Sequence, residues 1–398
     1  MKATMTMVFA TLVGLAATAE LAWGQPPILQ VTMPDRARAA DHDGGIYVVG
    51  TICGDLYVLN ETGSYTVTSL GAGAINDVRI ENPHIAVAAG TTVMQLSVAG
   101  VAPVEQWRMD LGEEIRSLDL SGDGGHVAYL SEFWDPGTDE DMGQVGVIQG
   151  GGIVARYLLP SDTDAIYGLD ATRDMEYIAI TGEPCPPGPE GESTGVELFR
   201  FDGATLSRQW GTALMNYYET TQVRVSEAKD YVASATSSGT YMCLLALADG
   251  AELWRHETPG KEQFACDGDD NLNYVIGATQ AWWTPYSWFI LENAGTSYEV
   301  LAEGTMKGPI NDLDSNPDAS LLAFGSDLGE FLLLSRTGDT VATVFEGNVY
   351  GIIDAIEIGD RTLLLCGDGF ITLIPEPATL ALLSLGAAGL VLRRRRTT

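Results

Sequence analysis

The sequence predicts an all-β fold, a β-propeller, and three observations carry that expectation. The 398 residues include 46 glycines and 17 prolines among scattered β-branched and aromatic residues, which suits many short strands joined by tight turns. One unit recurs along the chain: a short apolar strand, a polar turn, a strand such as Leu321 to Ser326, an Asp/Gly turn, a strand such as Glu330 to Leu334, a further turn and a last strand such as Val341 to Phe345. The units begin near Arg36, Ile75, Ile115, Ile166, Thr220, Phe264, Ile310 and Val349, at spacings of about 40 to 54 residues, the length of a four-stranded blade.

Those starts give eight blades, with seven as the alternative count. The last unit, Val349 to Ile374, has only three strands, whereas Ile28 to Met33 reads as a strand with no unit of its own. Pairing the two completes the final blade and leaves no open sheet edge. The propeller domain is expected to span residues 25–374.

The two ends read as addresses. Lys2 precedes an apolar run from Met5 to Ala17, and Ala22-Trp23-Gly24 places small residues where a signal peptidase inspects the chain. Residues 1–24 are therefore expected to be a signal peptide cut between Gly24 and Gln25, with Ala19/Glu20 as the second choice. Residues 375–398 hold Pro375-Glu376-Pro377, an apolar stretch from Ala378 to Leu392 and the block Arg393, Arg394, Arg395, Arg396. The stretch is at the short end for a transmembrane helix, and the arginines would stay on the cytoplasmic side. In order and spacing this tail resembles the PEP-CTERM sorting signal of exopolysaccharide-producing Gram-negative bacteria, also catalogued as the C-terminal domain of ice-binding proteins. The resemblance implies cleavage near Pro-Glu-Pro by an exosortase-type membrane protease, transient anchoring through residues 378–392, and delivery to the cell surface or extracellular matrix.

Two further resemblances concern the body. Asp314 to Leu334, DSNPDASLLAFGSDLGEFLLL, looks like a WD40-type repeat without its Trp-Asp ending, and Leu118 to Ser131 repeats its first half. Leu245 to Gly260, LALADGAELWRHETPG, is similar to the repeat of quinoprotein dehydrogenases, with Asp249-Gly250 in the turn and Trp254 on the outer strand; Trp107 and Trp210 are weaker echoes. In that family the tryptophan packs between neighbouring blades. No adjacent cysteine pair and no cation-rich pocket for a quinone's carboxylates accompany it, so a degenerate pyrroloquinoline-quinone oxidoreductase stands as the alternative to a binding module.

Charge narrows the function classes. Lys and Arg total 21 against 54 Asp and Glu, for a net charge of −33, and only Lys2, Lys229, Lys261 and Lys307 are lysines. A phosphate backbone needs a cationic footprint, so a nucleic-acid partner is excluded. Gly191-Glu192-Ser193-Thr194-Gly195 matches a nucleophile-elbow pattern but lies between two strands in a Pro/Gly-rich loop, without the following helix the chemistry requires. None of His42, His84, His126 and His256 has a metal-ligand or triad spacing. The odd set Cys53, Cys185, Cys243, Cys266 and Cys366 leaves at least one thiol free within the chain, with Cys53–Cys366 the first pair to test for a disulfide across the closure.

Three connections between second and third strands are enlarged: Phe133 to Gly143, Glu183 to Thr194, and Gln280 to Ser287. Such connections emerge on one face of a propeller, where these scaffolds bind. Phe133, Trp134, Trp282, Trp283, Tyr286 and Trp288 are the candidate ligand contacts, since exposed aromatic rings stack on sugar faces or anchor partners; a plug packed under the loop is the competing role. Asp135, Asp139, Glu140 and Asp141 supply hard oxygens suited to calcium, or simply a solvated acidic loop. No catalytic residue and no resident cofactor are expected. The expected partner is an exopolysaccharide or another exported protein.

Overall fold

The computed structural model describes residues 27–137, 140–159, 166–182, 194–215, 220–236, 241–258, 263–279 and 286–375. Every regular element among them is a β-strand. Eight strands line a central channel: the second half of Leu29–Asp43, then Ile75–Glu81, Glu114–Leu120, Ile166–Ala171, Thr220–Val225, Gln263–Gly268, Ile310–Ser315 and Ile353–Ile358. Each touches the next, and Ile353–Ile358 touches Leu29–Asp43, so the ring is closed. Outward from each innermost strand, antiparallel strands follow as a meander.

By hydrogen bonding the ring is seven sheets, the alternative number, rather than eight separate four-stranded ones. Six have four strands, and the seventh has six, in the order Ile353–Ile358, Thr362–Pro375, Leu29–Asp43, Ile46–Thr51, Asp55–Asn60, Tyr65–Ser69. The cause is that Leu29–Asp43 serves two units at once. Leu29 to Thr32 pairs with Leu373 back to Phe370, whereas Ala37 to Asp43 pairs with Thr51 back to Ile46, with a register shift between Thr32 and Arg36. Thr362–Pro375 likewise fills two positions: Leu363 to Gly367 pairs with Ile353–Ile358, Asp368 to Leu373 pairs with the N-terminal strand, and the surface break at Asp368-Gly369 separates two buried runs. First and last units are thereby one continuous sheet, and the N-terminal strand closes the ring.

Burial explains the residue choice. The second strands Ile46–Thr51 and Leu321–Ser326 are buried almost end to end because both faces are covered by neighbouring units, so they read as continuous apolar runs. The outer strand Tyr65–Ser69 alternates half-buried and exposed positions, since only one face is covered. Across the closure, Tyr47, Val49, Leu364, Cys366 and Leu373 share one apolar cluster. Within that seam the buried Tyr47 hydroxyl lies 2.9 Å from the Thr362 carbonyl, to which it donates, and 2.7 Å from Thr362 Oγ1. Arg36 also pairs with Asp354, its Nε donating to Asp354 Oδ2 at 2.8 Å.

A turn recurs between first and second strands. Ser121, Thr172, Ser226, Asp269 and Asn316 each accept, through a side-chain oxygen, the amide five residues on, at 2.7 to 3.1 Å. In four of the five, a non-glycine residue takes the left-handed conformation: Met175, Lys229, Leu272 and Ala319, at φ between 48° and 60°. Met175, Leu272 and Ala319 are buried there, so packing between units offsets the backbone cost. The tryptophans of the quinoprotein-like repeats also bridge units: Trp210 Nε1 donates to Leu247 O at 2.7 Å and Trp254 Nε1 to Asn293 Oδ1 at 3.3 Å.

Removing residues 28–33 takes away the strand that joins the ends of the ring. The truncated chain should melt on the order of 10 °C lower and less cooperatively, because the loss exposes buried seam residues as well as breaking a ladder. An unchanged melting temperature by circular dichroism would show that the ring holds without this strand.

Candidate functional site

Two regions have the makings of a site: the central channel and the face that carries the enlarged connections. The channel contains two cavities of about 440 Å³ and 400 Å³ that share Asp41, Arg79, Asp170, Arg224, Asp314 and Glu357. Its walls are the innermost strands, each a sheet edge with amides unpaired by any ladder. Side chains of the preceding unit fill that need. Asp41 accepts the Ile80 amide at 2.6 Å, Asp77 the Leu118 amide at 2.9 Å, Asp119 the Ala171 amide at 2.7 Å, and Asp170 the Val225 amide at 2.6 Å. Gln222 accepts the Cys266 amide at 2.7 Å, Asp312 the Ile356 amide at 2.9 Å and Asp314 the Ile358 amide at 2.6 Å. Asp267 accepts the Ser315 hydroxyl at 2.8 Å. The carboxylates therefore form a circumferential belt that hydrogen-bonds unit to unit.

Two arginines neutralise part of that belt. Arg224 lies 2.6 Å from Asp267 and 3.1 Å from Asp170, and Arg79 lies 3.8 Å from Asp77 and 4.0 Å from Asp119. The remaining acids outnumber them, and burial dominates their protonation. It pushes the Asp41 carboxyl up to about 6 and those of Asp119 and Asp312 up to about 7, with the Asp170 charge adding to the rise at Asp119. Glu81, at one mouth of the channel, is raised to about 7 by burial. Asp314 and Glu357 are raised well above the usual carboxylate range by burial and then by neighbouring acids. Among the described residues, no group of three or more His, Cys, Asp or Glu is arranged to hold a metal ion.

The opposite kind of surface lies on the loop-bearing face. Phe133 to Gly143 is a β-hairpin rather than a loop: Val127–Asp135 and Glu140–Gln149 stay in register out to the Asp135–Glu140 pair. Their nine and ten residues exceed the six and eight of the seventh unit, so the hairpin projects. Trp134 sits near its tip and is 54% exposed, whereas Phe133 is half-buried. Other connections bring Ile52, Leu328 and Tyr350 to the same face, with Tyr350 89% exposed.

The remaining sequence-selected residues divide. Tyr286 and Trp288 are not loop residues: they lie in the strand Tyr286–Asn293 and pack into the apolar cluster around Leu313 and Phe324, the Trp288 ring 5.5 Å from that of Phe324. Gly304 fits against the indole, where a Cβ would come within 2.4 Å of it. These two match the plug role. Trp282 and Trp283 lie outside the described residues, as do Asp139, Cys185, the connection 183–193, Gly24, Gln25, Glu376, Pro377 and Arg393 to Arg396. Among the calcium candidates, the backbones of Asp135 and Glu140 face each other across the hairpin and Asp141 pairs with Trp134. Pro375 ends the strand Thr362–Pro375. The Cys53–Cys366 pairing is corrected: both are free thiols, Cys53 exposed at a turn beside Thr51 Oγ1 and Cys366 buried with Sγ toward Ala355 O. Cys243 and Cys266 are also free and buried. Sequence reading missed the channel belt, whose signal was the Asp that recurs in the first strand of most units, as in SLDL, YGLD, ACDG and NDLD.

Comparison with known proteins separates tail from body. Residues 373–396 match the PEP-CTERM protein-sorting motif. The body is similar to a computationally designed protein, Ika8, at 12% identity and a TM-score of 0.69 over 88% of this chain and 99% of that one. It is similar to Sqt1 of Chaetomium thermophilum bound to the N-terminus of the ribosomal protein L10, at 13% identity and 0.67 over 86% and 97%. It is similar also to the C-terminal WD40 domain of Sif2, at 11% and 0.65 over 88% and 97%. At these identities the likeness establishes a WD40-like propeller fold. No curated protein matches the chain. The tail marks an exported protein. Among the described residues no helix is long and apolar enough to cross a membrane; Ala378 to Leu392 lie outside them.

The channel acids set a direction for stability against pH. Their folded pKa values of about 6 to 7 lie above the unfolded values near 4, so the folded state holds protons the unfolded state has lost. Stability contributed this way is complete below about pH 4 and falls as pH rises toward 7. The melting temperature should therefore be higher at pH 5 than at pH 8, and Asp312→Asn, which keeps an acceptor for the Ile356 amide, should flatten that slope. A melting temperature that climbs from pH 5 to pH 8 would show that these carboxylates ionise in the ring without cost.

Proposed function

We propose that this is an exported, non-enzymatic binding module whose loop-bearing face takes up a matrix polysaccharide. The observation that carries this reading is the projecting hairpin of the third unit, which holds Trp134 at its exposed end on a rigid two-stranded support. An indole held in that way presents a flat apolar face with little conformational entropy left to lose on binding. Tyr350 offers a second ring on the same face, and the connection that contains Trp282 and Trp283 starts from it. Asp135, Asp139, Glu140 and Asp141, close to Trp134 in the sequence, carry the hard oxygens through which calcium would bridge to an acidic sugar.

Orientation supports the same reading. The second half of Thr362–Pro375 runs from the Asp368-Gly369 turn, on the loop-bearing face, to Pro375 at the opposite end of the ring. A ring anchored by residues beyond Pro375 would hold its loops away from the membrane and toward the matrix. The quinoprotein-like oxidoreductase is the weaker alternative, since the channel where such a cofactor would sit is lined by acids that repel its carboxylates.

Thermal shift on residues 25–374 with neutral and acidic oligosaccharides, with and without calcium, tests the reading. A sugar at 100 times its dissociation constant should stabilise the ring by about 2.7 kcal/mol. Trp134→Ala should weaken binding at least about ten-fold without lowering the melting temperature of the free protein, because the ring is exposed. Full affinity in Trp134→Ala and Tyr350→Ala alike would remove this face from sugar recognition. Capture of an exported protein with no sugar shift would replace polysaccharide by protein as the partner.

A further inference from the structure

The sorting signal has no spacer between it and the ring. The matched motif begins at residue 373, yet Leu373 and Ile374 belong to the last strand, which ends at Pro375. Leu373 pairs with Leu29, its carbonyl accepts the Ile28 amide at 2.9 Å, and both Leu373 and Ile374 are at most 2% exposed. Only Glu376 and Pro377 separate that strand from the apolar stretch that starts at Ala378. Two residues span about 7 Å at full extension.

A protease grips its substrate as an extended segment on both sides of the bond it cuts, reading backbone groups much as an added strand does. On the amino side of Pro375-Glu376-Pro377 those backbone groups are already committed. The N-terminal strand occupies the edge of residues 370–373 that a protease cleft would need, and the side chains of Leu373 and Ile374 are inside the seam clusters. Ring closure and tail processing thus compete for one stretch of chain.

We propose that the closing strand, Leu29 to Thr32, masks the processing site, so that cleavage at Pro375-Glu376-Pro377 proceeds through opening of the last blade rather than on the closed ring. The N-terminal strand is then both the clasp of the fold and the gate on release from the membrane. The mask lies in the pairing with Leu373 and in the shortness of the link, and each is separately adjustable.

The full chain in detergent micelles, treated with a proline-specific endopeptidase that cuts after Pro375 and Pro377, provides the test, with release of the fragment beginning at Glu376 or Ala378 followed by mass spectrometry. A flexible Gly/Ser spacer of about ten residues inserted between Pro375 and Glu376 leaves every strand in place and should speed release at least about ten-fold, because cleavage of the parent chain tracks the open population. Ile28→Pro removes the amide that bonds Leu373 O while the rest of the ladder remains, and should speed release by a smaller factor. Equal rates for the parent, spacer and Ile28→Pro chains, all with parent-like melting temperatures, would overturn the proposal. In cells that carry an exosortase, the spacer variant should lose its tail earlier in a pulse-chase, and simultaneous loss in both would equally count against the gate.

Discussion

A side-chain oxygen accepting a backbone amide from the next unit is the interaction on which this ring depends. Each innermost strand is a sheet edge, and an edge whose amides face a narrow channel can neither pair with a ladder nor be fully hydrated. Asp41, Asp77, Asp119, Asp170, Gln222, Asp312 and Asp314 meet that need on six of the eight inner strands, while Asp267 holds Ile310–Ser315 through the Ser315 hydroxyl and Arg36 joins Asp354 at the closure. Apolar packing between units is non-directional and would tolerate slippage of one blade on another. The belt is directional: each oxygen is spent on one named amide, which fixes the height of one unit against the next. A lost carboxylate leaves an amide unsatisfied, so the belt contributes to uniqueness of packing as much as to net stability.

Closure imposes the second constraint. A circle of blades made from one chain must join its ends, and here Leu29–Asp43 does so by being the outer strand of the last unit and the inner strand of the first. That double duty explains why seven sheets surround a channel lined by eight strands. It also places Leu29 and Pro375 together at the end of the ring away from the enlarged connections. The sorting motif at residues 373–396 therefore begins inside the seam, for a geometric reason independent of what the opposite face binds.

Repeat boundaries were legible in the sequence because a unit that buries both faces of its middle strands leaves a strong trace: LLAFGS and IYVVGT are apolar runs with small residues where the neighbour approaches. The closing strand was legible from a missing fourth strand in the last unit. Fusion of the end units was not, since it depends on the chain continuing through Met33-Pro34-Asp35 with only a register shift. Aromatic residues were the least legible. Trp134 and Trp288 are both read from the sequence as aromatic residues of enlarged connections, yet one projects from a hairpin and the other packs on Phe324 with Gly304 against it. The difference lies in a glycine on the partner strand sixteen positions away, which a local reading does not weigh. Cys53 and Cys366 fail to pair because they do not occupy equivalent positions: Cys53 falls beyond the end of Ile46–Thr51 in an exposed turn, whereas Cys366 lies inside Thr362–Pro375 and is buried in the seam.

The acidity of the chain takes on a structural meaning once the belt is seen. A net charge of −33 reads as a solubility feature of a secreted protein, but many of its acids face the channel rather than the outside. They are the cost of closing a ring with carboxylates, moderated by Arg79 and Arg224 and by proton uptake where burial raises the pKa. An amide such as Asn or Gln would accept the same hydrogen bond without charge, and Gln222 does so in the fifth unit. A carboxylate is the stronger acceptor, shorter and charge-assisted, and it can satisfy two donors at once, as Asp77 does for Ser117 and Leu118. Repulsion among the acids opposes that gain: Asp267 and then Asp312 raise Asp314, and Asp314 and Asp41 raise Glu357, with Arg224 and Arg79 easing the two sites. Proton uptake by these buried carboxyls relieves that repulsion, which ties the cohesion of the ring to pH.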